Sequence, residues 1–117
     1  MKIIALFLAL ISFSAIACWK VEGTVGLDGE TYKINQKFDH EKEYSISMGT
    51  FILNMTLNSG KGKTHKVRYT LFEKKGIKLT LITKGDDELT EGLSKEIYAK
   101  GEGNQPNTIL TLNLKNI

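Results

Sequence analysis

From Trp19 onward, apolar and polar residues alternate with a period of two along most of the chain, the spacing of strands with one buried face and one wet face. Trp19, Val21, Gly23, Val25 and Leu27 share one face, and Lys20, Glu22 and Thr24 share the other. Asp28-Gly29 follows, a pair suited to a two-residue hairpin loop. That loop sets Leu27 opposite Glu30, Val25 opposite Tyr32, Gly23 opposite Ile34 and Trp19 opposite Phe38, so the apolar faces coincide. A slip of one residue would turn Tyr32 and Ile34 to the wrong side.

The same logic runs down the chain. Tyr44, Ile46 and Met48 are followed by Phe51, Leu53, Met55 and Leu57, with a change of parity at Gly49-Thr50. A type II′ turn there pairs Met48 with Phe51 and Ile46 with Leu53; a bulge in one long strand is the alternative. Val67, Tyr69 and Leu71 precede Lys74-Lys75-Gly76, and Ile77, Leu79 and Leu81 follow. A three-residue loop with Gly76 left-handed pairs Leu71 with Leu79 and Tyr69 with Leu81. A last pair sets Leu93, Ile97 and Ala99 against Leu110, Leu112 and Leu114, across the Gly- and Pro-containing loop 101–107. The segment 85–92 breaks the alternation, and its acids suit the start of one helical turn outside the sheet.

These runs predict an all-β protein of about eight short antiparallel strands in a hairpin meander. Eight strands with one apolar face each must curl or fold into two layers to bury those faces. Sequential hairpins favour closure as a small barrel, and the alternative is a two-layer β-sandwich.

Residues 1–17 depart from this pattern. One basic residue, an apolar run from Ile3 to Phe13 and small residues on both sides of Ile16 make a secretory signal peptide. Residues 18–117 are then the single β domain. The sole cysteine, Cys18, stands at the expected cleavage point, with two readings: a lipidated amino terminus, which would be the only link to a membrane, or a free thiol able to join two copies as a dimer. The expected location is the periplasm or cell envelope, or the extracellular space. Without a second cysteine, apolar burial and sheet hydrogen bonds must hold the domain together.

Charge changes the picture little. Without residues 1–17 the chain has fifteen basic and thirteen acidic residues, a formal balance of +2, and this gives no electrostatic case for nucleic acid. Its distribution is more telling. Lys66, Arg68, Phe72, Lys78, Ile82 and Lys84 fall on the outward parity of one hairpin in the register above, a basic face with apolar residues interleaved. Such a face either protects strands from pairing with other chains or docks a protein, glycan or lipid-headgroup partner. Ile52, Phe72, Ile82, Tyr98 and Ile109 are further outward apolar positions, meaningful only if strand order gathers them.

Catalytic chemistry has no signature here. His40 stands in a turn and His65 opens a strand on the parity of Val67 and Tyr69, and neither has a second ligand at metal-site spacing. No Gly-x-Ser-x-Gly elbow exists, and Ser45 and Ser47 are expected on a wet face. Asp86-Asp87-Glu88 does not follow a calcium-loop spacing. The sequence therefore leads to an exported, non-enzymatic binding module without cofactor or metal. The alternatives are a carrier with an apolar ligand inside the barrel, lined by Tyr32, Phe38, Tyr44, Phe51 and Tyr69, or an inhibitor of an envelope or extracellular hydrolase.

Overall fold

Eight antiparallel strands hold about three quarters of the residues in the computed structural model, which describes residues 19–116. The expected signal peptide and Cys18 lie outside the described residues. The strands are β1 (Trp19–Leu27), β2 (Glu30–Phe38), β3 (Glu43–Met48), β4 (Phe51–Ser59), β5 (Thr64–Lys75), β6 (Lys78–Thr90), β7 (Ser94–Ala99) and β8 (Thr108–Asn116).

They form two four-stranded sheets, in the orders β2-β1-β8-β7 and β3-β4-β5-β6. The ring order of an up-and-down barrel is kept, but the wall is open along two seams. No ladder joins β2 to β3 or β6 to β7 among the described residues, so the closed barrel is corrected to the two-layer arrangement. The inward faces of both sheets supply one core, which includes Val21, Phe38, Leu53, Leu71, Leu89 and Leu112. Side chains bridge the β6/β7 seam where a ladder would otherwise run. Lys95 pairs with Asp87, and the Thr83 hydroxyl donates to the Lys100 carbonyl at 2.9 Å.

Three turns behave as local chemistry dictates. Asp28 and Gly29 both have positive φ, and at Gly49-Thr50 only the glycine does, the patterns of type I′ and type II′ hairpins. The registers Val25↔Tyr32, Ile46↔Leu53 and Met48↔Phe51 follow as expected. The third hairpin differs. It turns on Gly76-Ile77, pairing Lys75 with Lys78 and Phe72 with Leu81. A bulge next to Leu71 then re-pairs Leu71 with Thr83 and Tyr69 with Gly85. One extra residue in one strand flips the side-chain alternation, so Leu79 and Leu81 face outward and Ile82 enters the core with no exposed surface.

Residues 85–90 continue β6 rather than forming a helical turn. Gly85 lies against the Tyr69 ring: a Cβ would lie 2.5 Å from the tyrosine oxygen and 2.9 Å from Cζ, so a larger residue there must displace that ring. Leu93, expected inward, is 62 % exposed in the link before β7.

The seam pair makes a pH prediction. Burial alone would raise the Asp87 carboxyl, but hydrogen bonds from Lys95 and the Glu88 N–H, with the Lys95 charge, bring it below the ordinary range. A depressed native pKa stabilises the fold fully above the unfolded value of about 3.9, and the contribution is lost as pH falls through the native value. Thermal melts between about pH 6 and about pH 3 should therefore show a steeper acid loss in the native protein than in Asp87→Asn. Parallel curves would refute the assignment.

Candidate functional site

Both crossings between sheets, 39–42 and 91–93, lie at the same end of the sandwich, where β1 also begins. The first carries His40 and the second Glu91; the β4–β5 link between them is flanked by Ser59 and His65, paired in register. Backbone hydrogen bonds tie the three segments together. The Glu41 N–H donates to the Leu57 carbonyl and the Glu91 N–H to the Lys63 carbonyl, both at 2.9 Å. Glu41 has a left-handed φ of 68°, a strain on the order of 1–3 kcal/mol for a non-glycine residue. The Asp39 N–H, donating to the Tyr44 hydroxyl at 3.0 Å, holds the other side of that turn.

The result is a continuous chain of polar side chains. Ser59 Oγ lies 3.3 Å from His40 Nδ1, His40 Nε2 lies 3.2 Å from His65 Nδ1, and His65 Nε2 lies 3.2 Å from Glu91 Oε2. An ionised Glu91 only accepts, so His65 Nε2 carries a proton and donates. In neutral His65, Nδ1 then accepts from His40 Nε2–H, which leaves His40 Nδ1 to accept from the Ser59 hydroxyl. Every member is satisfied in this one direction.

Burial falls off along this chain. His65 is 4 % exposed, His40 is half-buried and Ser59 is exposed. Trp19 covers the pair, its ring stacked on His40 with centroids 5.4 Å apart and tilted over His65 at 4.3 Å. The sequence reading missed this constellation by treating each histidine alone. The signal was the inward parity of His65, because a buried polar ring must find partners.

The outer face of the β3-β4-β5-β6 sheet runs from this end to the β5–β6 turn and has two halves. Next to Ser59 lies a charged groove of about 350 Å³, where Arg68 faces Asp86 and Lys66 faces Glu88 across the strands. Arg68 Nε is 3.1 Å from Asp86 Oδ1. Toward the turn the face becomes apolar. Ile52, Phe72 and Leu81 form one cross-strand row, Leu79 is 55 % exposed and Ile77 is fully exposed at the tip.

The six residues expected to form one basic surface are therefore divided. Lys66 and Arg68 stand beside acids, Phe72 belongs to the apolar row, Lys78 flanks the tip, Lys84 faces Thr70, and Ile82 is buried. Tyr98 and Ile109 pair on the outer face of the other sheet. Four of the five aromatic residues named as a cavity lining pack in pairs, Tyr32 on Phe51 at 6.0 Å and Phe38 on Tyr44 at 4.7 Å, and the fifth, Tyr69, lies against Gly85. Comparison with protein families, characterised proteins and solved structures gives no match to this chain.

Proposed function

We propose that this chain is an exported, non-enzymatic binding module of the cell envelope that docks a protein partner through the outer face of its β5–β6 hairpin. The observation that carries this reading is the apolar row Ile52–Phe72–Leu81 continued by Leu79 and Ile77, with Lys74, Lys75 and Lys78 around the tip. A contiguous apolar surface rimmed by polar residues is what protein interfaces bury at their centre. The bulge adds to the argument, since it turns Leu79 and Leu81 away from a core that could have used them. Bulges of this kind re-aim side chains near functional surfaces.

Charge narrows the partner. Asp86 and Glu88 offset Arg68 and Lys66 on the same face, which weakens the case for a polyanionic glycan or a lipid headgroup and favours a protein of mixed charge. A carrier role has less support, because four of the five aromatic residues that would line its cavity pack in pairs on one another.

A photocrosslinker at Leu79 in the native envelope is expected to give one discrete protein adduct, and the same group at exposed Lys33 on β2 none. Equal labelling at both positions, or none at Leu79, would overturn the docking role. Leu79→Asp should abolish the adduct made from position 77 while moving unfolding free energy by no more than about 0.5 kcal/mol, the usual range for an exposed site.

A further inference from the structure

The geometry points to a divalent transition-metal site between His40 and His65, of the imidazole-preferring class that includes copper(II) and zinc. Two nitrogens each about 2.0–2.1 Å from a tetrahedral ion lie about 3.3 Å apart; His40 Nε2 and His65 Nδ1 are 3.2 Å apart. The spacing alone would also suit a hydrogen bond. What distinguishes this pair is the oxygen behind each ring.

Metal-bound histidines characteristically donate their other N–H to an oxygen acceptor, which fixes the tautomer and raises ligand basicity. Glu91 Oε2 stands 3.2 Å behind His65 Nε2, and Ser59 Oγ stands 3.3 Å behind His40 Nδ1. Both facing nitrogens can therefore be unprotonated together, provided that a cation separates their lone pairs. Loading from the neutral state needs only a tautomer change at His40. The proton leaves Nε2, Nδ1 gains one, and the Ser59 hydroxyl turns from donor to acceptor, with no net proton released. The Glu91 carboxylate supplies compensating negative charge.

Among the described residues no group of three or more histidine, cysteine, aspartate or glutamate side chains converges. The site thus offers two imidazoles and leaves the remaining positions to water or an incoming donor, on the side where His40 is half-buried and Ser59 exposed. Imidazole nitrogens suit both metals, the tetrahedral spacing favouring zinc and the order of divalent affinities favouring copper(II), whereas calcium and magnesium need oxygen donors.

Trp19 is the only tryptophan in the chain and touches both rings, so its emission reports on the site directly. Copper(II) sulfate added to chelator-treated protein is expected to quench that emission saturably and to add one ion per chain by native mass spectrometry; calcium should do neither. His40→Gln, at a half-buried turn position, should weaken copper binding at least about tenfold, and Glu91→Gln by about 10- to 100-fold. Binding undiminished in His40→Gln would place the metal elsewhere and overturn the site, as would the absence of a bound ion at about 100 µM free copper. Should either variant fail to fold, imidazole ¹⁵N spectra of the native protein with zinc decide. Shifts at His40 Nε2 and His65 Nδ1 support the site, and unchanged resonances refute it.

Discussion

Phe38→Ala is expected to lower the free energy of unfolding by about 3–5 kcal/mol, the cost of deleting a fully buried aromatic ring and leaving its cavity. Phe38 has no exposed surface and ends β2 opposite Trp19. Its ring meets Tyr44 edge-on at 4.7 Å and 72°, and the Tyr44 hydroxyl accepts the Asp39 N–H that sets the turn carrying His40. Loss of the ring therefore removes core packing and support for the Trp19–His40–His65 cluster at once. At about 4–8 °C per kcal/mol for a domain of this size, the melting temperature should fall by more than about 12 °C, with Trp19 emission shifted to the red in the folded state. Phe38→Leu keeps most of the volume and should cost far less. A loss below about 1 kcal/mol for the alanine variant would contradict the packing described.

The second large effect concerns Gly23 in β1, where a Cβ would stand 1.8 Å from the Thr111 carbonyl oxygen and 3.1 Å from the Leu112 Cα. Those are backbone atoms of β8, paired with β1 in the middle of its sheet. No side-chain rotation relieves the clash, so Gly23→Ala must push two central strands apart. The expected cost is about 3 kcal/mol or more, at or above the upper end of ordinary overpacking. Gly26→Ala on the same strand is the matched control, because its nearest atoms lie at 3.8 and 3.9 Å and a shorter list of unfolded conformations offsets any small strain. Urea titration of both variants tests the contrast. Equal midpoints would show that β1 and β8 do not approach as described.

The two variants also show which parts of the chain were legible as sequence. Phe38 was readable as core from its parity with Tyr32 and Ile34, because an apolar residue on the inward face of a paired strand has nowhere else to go. Gly23 was readable only as a member of that face; the close approach of β8 depends on a pairing between residues almost ninety positions apart. The third hairpin failed for a related reason. Lys74-Lys75-Gly76 and Gly76-Ile77 are both acceptable turns, and the bulge that decides between them has no local signature. The consequence runs along the strand: Leu71 meets Thr83 instead of Leu79, Tyr69 meets Gly85 instead of Leu81, and Ile82 is buried instead of outward.

By itself the sequence determined the strand faces other than that of β6, the two Gly-containing turns at Asp28-Gly29 and Gly49-Thr50, and the antiparallel meander, because alternation and turn chemistry act over a few residues. Tertiary structure decided the rest. Whether eight strands close or split depends on whether the outer edges meet, and here side-chain bridges such as Lys95–Asp87 span the β6/β7 seam. Ser59, His40, His65 and Glu91 come from three separate segments, and only the combined registers of β4, β5 and β6 with both crossings bring them into one chain.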